Sequence, residues 1–267
     1  ELAGRTDIPG FAGCPGPMVP AGFEINDIVE VDATSVHGVD GLQGADLPYP
    51  AMPLQAQHGV DFLTQTLEEA TDPVLLAMTG PLTNLAVVLV QRPHLAEKIS
   101  QVVWMGGSTN AGNISVAAEF NAFMDPYALR IVLSSGISFK MIGLNITHQI
   151  ATNDFWLEKI RALQNPVALQ AANILEASGE YERVSIGLTG KAIHDACVSA
   201  FLLRPELFTF EEAFIEVSLD GGPSFGATLT SCYPVHLPSH GRHYVATKVD
   251  VQGVFELIVE MLGHYAR

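Results

Sequence analysis

The chain has 267 residues, with 13 Lys and Arg against 29 Asp and Glu, a formal net charge of −16 and a pI near 4.8. So few cations cannot track a phosphate backbone, which excludes polymeric nucleic acid as a partner. Hydrophobic residues make up 48% and charged residues only 16%, a composition of buried core rather than disorder, and no apolar run approaches the ~20 residues of a membrane span.

The order of elements is legible from periodicity and punctuation. Glu1 to Arg5 reads as the last turn of a helix closed by Gly4, with Pro9 beyond it. With no basic and apolar leader ahead of it, Glu1 is expected to follow a segment lying upstream. A helix is predicted over 60–70, then a buried strand over 74–78. Pro81 suits the first turn of a helix over 82–91 that Pro93 ends. A strand over 99–105 runs into Gly106-Gly107, and Asp125-Pro126 is an N-cap with proline at N1 for a helix through Leu133.

The pattern continues with a strand over 139–144 and helices over 153–163, 167–177 and 192–203. Strands over 213–219, 227–233 and 243–249 and a closing amphipathic helix over 254–265 complete the chain. Strands alternating with helices predict an α/β fold, a mostly parallel sheet with helices on both faces and ligands bound beyond the carboxyl ends of the strands. No linker, repeat or charge block divides residues 1–267, which are expected to form one domain. Cys14, Cys197 and Cys232 lack the spacing of a disulfide framework or zinc site, which points to a reducing, cytoplasmic compartment. The sequons at Asn113 and Asn145 are read as chance.

Three segments fall where chemistry is expected: Thr79-Gly80-Pro81-Leu82-Thr83-Asn84, Met105-Gly106-Gly107 continuing to Glu119-Phe120-Asn121, and His194-Asp195. Each has a plain structural alternative. Glycines after a strand permit tight turns, loop Asn and Glu are commonly solvated or capping groups, and Asp195 at the head of an apolar helix is a natural cap. The functional alternative is that Asp195 offers an oxygen to a hard cation while His194 works as an acid near neutral pH.

Taken together with His37-Gly38-Val39-Asp40-Gly41-Leu42, Ala118-Glu119-Phe120-Asn121, Asp125-Pro126, Thr147-His148-Gln149 and His194-Asp195-Ala196-Cys197, these segments resemble, in order and spacing, the inosine/uridine-preferring nucleoside hydrolase family. The resemblance implies hydrolysis of the N-glycosidic bond of a small-molecule ribonucleoside, a nucleoside hydrolase-like (Rossmann-like) fold, a calcium cofactor, and a homo-oligomer when full length. By matching motifs it implies that the Thr79 carbonyl and Asp195 carboxylate are metal ligands. Asn113, Glu119 and Asn121 would hold ribose hydroxyls, Met105 would line the sugar pocket, Phe120 would be a further substrate-binding residue, His194 would protonate the leaving base, and His37 would lie at its edge. These residue types suit the reaction: breaking a C–N bond at an anomeric carbon requires an oriented water, stabilised positive charge on the sugar and a neutralised base.

The family's Asp-rich run, Asp-x-Asp-Pro-Gly-x-Asp-Asp, has no counterpart here. The acidic residues Glu24, Asp27, Glu30 and Asp32 lack its glycine turn and close aspartate pair, and read as a solvated face. Alignment with the family sets that run, with the general base, upstream of Glu1, so the chain is expected to lack about fifty N-terminal residues, more than the ~30 of one βαβ unit. Calcium takes about six to eight oxygens. Two matched ligands leave the shell short, so the chain alone is expected to bind calcium weakly and turn over slowly. A non-catalytic nucleoside- or sugar-binding homologue, and a structural subunit that pairs through an uncovered sheet edge, are the other readings. Between Ala177 and Ala192 only Tyr181 is aromatic, which leaves purine or pyrimidine preference open.

Overall fold

The computed structural model describes residues 1–19, 42–188, 190–236 and 243–265, and gives only the backbone for 178–185. The motif around His37 and the acidic residues Glu24, Asp27, Glu30 and Asp32 lie outside the described residues. In chain order the elements are α1 (Gly59–Glu69), β1 (Val74–Met78), α2 (Thr83–Gln91), β2 (Ile99–Met105), α3 (Phe120–Met124), α4 (Pro126–Ser134), β3 (Phe139–Ile142), α5 (Leu144–Thr147), α6 (Asp154–Arg161), α7 (Pro166–Ser185), α8 (Ala196–Leu203), β4 (Phe208–Glu212), β5 (Phe214–Val217), β6 (Thr228–Ser231), β7 (His243–Val249) and α9 (Val251–Gly263).

The main sheet has the order β1-β2-β3-β7-β4. Its first four strands are parallel, and β4 pairs antiparallel with β7 at the far margin. β5 and β6 form a separate antiparallel ribbon. Alternation along β2 sends Val102 and Trp104 to one face and Val103 and Met105 to the other. The first pair joins a core with Leu85, Leu89, Leu129 and Val132 from α2 and α4. The second joins Val198, Phe201, Val254 and Phe255 from α8 and α9. Both faces are therefore covered by helices, as a parallel sheet requires.

The helix starts follow their capping chemistry. The Asp125 carboxylate accepts from the Ala128 amide at 3.0 Å, and it also accepts from the Thr83 hydroxyl at 2.7 Å and the Met18 amide at 2.9 Å. One buried side chain thus starts α4 while holding α2 and the N-terminal segment in place. Asn153 caps α6 and Asp250 caps α9, whose start at Val251 is three residues earlier than the predicted 254. Gly4 adopts a positive φ of 69° and its amide donates to the Glu1 carbonyl at 2.7 Å, as in the turn read from the sequence. No helix among the described residues is long and apolar enough to cross a membrane.

Several boundaries differ from expectation. The strand predicted over 139–144 ends at Ile142, because Leu144–Thr147 turns helical as its amides fold back onto Gly143 and Gly107. β4 was not anticipated; its Glu211 and Glu212 break the apolar signal, and pairing with β7 supplies the order instead. The last predicted helix before the closing strands starts at Ala196 rather than 192, so His194-Asp195 sits on the connection leading into it.

His243, at the start of β7, is buried, and its Nε2 donates to the Leu133 carbonyl at 3.0 Å while Nδ1 has no hydrogen-bond partner among the described residues. Burial lowers its pKa below the ordinary 6.5, outweighing the opposing carbonyl contact. A histidine whose folded pKa is depressed stabilises the fold fully above its unfolded pKa, and that contribution is lost as pH falls toward the folded value. Thermal unfolding of the chain and of His243→Gln is expected to converge as pH drops from 7.5 to 5.5. Parallel pH profiles would remove His243 from the acid response.

Candidate active site

In parallel strands the carboxyl ends lie on one side of the sheet, and the register Met78↔Trp104 and Met105↔Ile142 brings the ends of β1, β2 and β3 together there. Three of the sequence-identified segments leave from these ends.

Asn121, on α3 and nearly buried, joins two of them. Its Nδ2 donates to the Met105 carbonyl at 3.0 Å and to the Thr79 carbonyl at 3.3 Å, with the Met105 sulfur at 3.6 Å. Both amide hydrogens are spent on the scaffold, so Oδ1 is the atom left to meet a ligand hydroxyl. Glu119 caps α3. Its carboxylate accepts from the Gly107 amide at 2.8 Å and the Ala122 amide at 3.2 Å. Gly107 has φ of 68°, and an added Cβ would lie 2.7 Å from the Met141 sulfur, so this close approach of the chain requires glycine.

Burial pushes the Glu119 pKa up to about 7, against the amides of Asn121, Gly107 and Ala122, which lower it; the charge of Asp195 adds to the rise. Asp195 also raises the pKa of the buried Cys197 thiol, behind the larger effect of burial, which takes it to about 12. These couplings set Asp195 in electrostatic reach of Glu119. α8, which follows Asp195, packs beside β1 and β2, and its Val198 shares a core with Met105.

The capping explanation of Asp195 fails. Although it precedes α8, its backbone is αR and its side chain makes no cap hydrogen bond. Its carboxylate is exposed. His194 is half-buried, with Nδ1 at 2.8 Å from the Thr147 hydroxyl and its ring 5.8 Å from that of His148 in a T-shaped contact. This joins the Thr147-His148 segment after β3 to His194-Asp195 across 47 residues, a contact that no local pattern announces.

Asn113 is exposed, and its Oδ1 accepts from the Phe120 amide at 2.9 Å, which leaves its Nδ2 to donate outward. Phe120 is 37% exposed beside it. Asn145 Nδ2 donates to the Ala246 carbonyl at 2.9 Å.

The structure thus brings together Thr79, Met105, Glu119 and Asn121, with Asp195 in reach of Glu119, and it sets Asn113 and Phe120 on the adjoining loop. His37 lies outside the described residues. The sequence reading missed the Gly107 amide, Thr147, and the Trp104 indole, which donates to the Gly80 carbonyl at 2.9 Å. Gly107 and Thr147 had a signal, each standing in one of the motifs named above, and Trp104 had none.

As a calcium site the donors fit in kind but not in number. The Thr79 carbonyl and Asp195 carboxylate are hard oxygens, but the described residues hold no group of three or more His, Cys, Asp or Glu able to enclose a metal ion.

Comparison with known proteins shows the family. The family model described as inosine-uridine preferring nucleoside hydrolase matches residues 1–256. The pyrimidine-specific ribonucleoside hydrolase RihA of Photobacterium profundum is 40% identical over 265 residues, covering 99% of this chain and 83% of that protein. RihA of Shewanella woodyi is 38% identical over 267 residues, covering 100% and 83%. Among solved structures, the plant nucleoside hydrolase PpNRh1 superposes with a TM-score of 0.86 at 27% identity, over 98% of this chain and 83% of that one. The purine-preferring ribonucleoside hydrolase from Gardnerella vaginalis gives 0.85 at 25% identity, with the same coverage. The chain belongs to the inosine-uridine preferring nucleoside hydrolase family and is a glycosyl hydrolase.

Proposed function

We propose that the chain hydrolyses pyrimidine ribonucleosides to ribose and free base at the carboxyl ends of β1, β2 and β3. The observation that carries this reading is the convergence of Glu119, Asn121 and the Thr79 carbonyl with the His194-Asp195 connection. Asn121 Oδ1, Asn113 Nδ2 and the Glu119 carboxylate supply both acceptors and a donor for the ribose hydroxyls. A site that spends buried polar groups on hydroxyls rejects a sugar that lacks one.

As the bond from C1′ to the base nitrogen breaks, its electron pair goes to the base and positive charge grows on the sugar. Anionic Glu119 and Asp195 favour that charge. His194 serves the departing base as a hydrogen-bond or proton donor. Water supplies the hydroxyl that ends on C1′, and the balancing proton ends on the base. Calcium is the cofactor we assign, on the oxygen chemistry of Thr79 and Asp195; when bound it would supply positive charge for hydroxyl and water oxygens. His37 at the edge of the base remains part of the proposal. So do a cytoplasmic setting, in keeping with three free thiols, a single domain over 1–267, and a homo-oligomer.

Pyrimidine preference rests on the relatives sharing 36–40% identity, all described as pyrimidine-specific. Calorimetric titration with calcium and uridine tests the site. Asp195→Ala is expected to weaken calcium and uridine binding together by about tenfold or more. Unchanged affinity for both would dissociate Asp195 from the site.

A further inference from the structure

We propose that Thr147 is a positioning residue that fixes the tautomer of neutral His194, placing the ring proton on Nε2; this rests on the ribonucleoside-hydrolase reading above. Thr147 ends α5, the helical turn after β3, and its side chain is fully buried. Its backbone groups are satisfied locally: the amide donates to the Gly143 carbonyl at 3.1 Å, and its carbonyl accepts from the Ile150 amide at 3.0 Å. Among the described residues, the contact with His194 Nδ1 at 2.8 Å is the one hydrogen bond made by its hydroxyl.

Two arrangements are open to a neutral ring. If Nδ1 carries the proton and donates to Oγ1, the threonine hydroxyl hydrogen is left in a dry interior without an acceptor. If the hydroxyl donates to Nδ1, its hydrogen is met, and the ring proton sits on Nε2. An unmet buried donor is costly enough to favour the second arrangement by roughly tenfold or more. The T-shaped contact with His148 at 5.8 Å holds the plane of the ring. Ring geometry then sets Nε2–H on the side away from Thr147, as a donor for a base that gains negative charge on departure.

A leaving group that is already stable as an anion should not need this donor, so the role has a signature that a packing role lacks. The direct test is a two-bond ¹H–¹⁵N spectrum of the full chain labelled with ¹⁵N-histidine, with His194 assigned by its disappearance in His194→Gln. The wild type is expected to show the Nε2–H form in roughly tenfold or greater excess. Thr147→Val should lose most of that excess, and Thr147→Ser should keep it. A wild-type ring carrying its proton on Nδ1 overturns the proposal even if the valine variant does not fold, as does an excess unchanged in Thr147→Val.

In turnover, Thr147→Val should lower kcat for uridine about tenfold with KM within about twofold, and leave hydrolysis of p-nitrophenyl riboside within about twofold. Equal losses on both substrates would make Thr147 a packing residue. Failure of the wild type on both would reject the hydrolase reading, while the spectrum would still decide the tautomer.

Discussion

Glu119→Gln is expected to lower kcat/KM for uridine by roughly a hundredfold or more while making the protein more stable above neutral pH. The two effects share one cause. Glu119 is 3% exposed and accepts amide hydrogens from Gly107 and Ala122, yet burial lifts its pKa from 4.5 to about 7. For a carboxyl group raised in the folded state, stability is complete below the unfolded value of 4.5 and is lost as pH rises through about 7. A rise of that size corresponds to about 3 kcal/mol of lost stability once the group is fully ionised.

Glutamine keeps the carbonyl oxygen that accepts the amides but never ionises, and its NH2 group needs an acceptor that a carboxylate does not, so the net gain will be smaller. The advantage of Glu119→Gln in thermal midpoint should grow from pH 5 to pH 8. A constant difference across that range would mean that Glu119 is not held against its ionisation. The carboxylate is kept, on this view, because its charge serves the sugar in the transition state, a common exchange of stability for function.

Gly106→Ala is expected to be the most disruptive single methyl in the site. A Cβ there would lie 2.0 Å from Cζ2 and 2.3 Å from Cε2 of Trp104. The ring cannot yield: it is fully buried, its nitrogen donates to the Gly80 carbonyl at 2.9 Å, and it packs against Phe139 with centroids 5.7 Å apart. Overpacking of this kind costs about 3 kcal/mol or more, which in a chain of this length lowers the thermal midpoint by about 10 °C. Gly80→Ala is the matched control, since its added Cβ would meet nothing within 4 Å. Equal midpoints for the two variants would show that Trp104 can move, and with it the loop that delivers the Gly107 amide to Glu119.

The contrast between these glycines shows what the sequence could carry. Thr79-Gly80 and Met105-Gly106-Gly107 look alike as strand-ending turns, but only in the second does another side chain occupy the space beside the backbone. β1, β2 and β7 were legible to the residue because apolar runs bounded by Gly, Pro and polar residues leave few alternatives, and Asp125-Pro126 was legible because its cap is made within four residues. β4 and α3 were not. Glu211 and Glu212 give β4 no apolar signature, and α3 has five residues, too few for a periodicity. α7 runs on to Ser185 through polar Ser178 to Arg183, past the end its apolar spacing indicates.

In the site, the sequence motifs name candidate residues but not the contacts that each makes. Asn121 gives both amide hydrogens to backbone carbonyls, Asp195 does not cap its helix, and His194 is held by a threonine 47 residues away. Each of these depends on segments brought together by the sheet register, which no local pattern contains.

The central claim is that this chain cleaves ribonucleosides by hydrolysis at the site around Glu119 and Asn121. Incubation of the chain with uridine and calcium in phosphate-free buffer, followed by chromatography of the products, tests it most directly. Uracil and ribose are expected in equal amounts, with 2′-deoxyuridine cleaved at least a hundredfold more slowly. No release of uracil above the rate without protein, or equal cleavage of the two nucleosides, would contradict it.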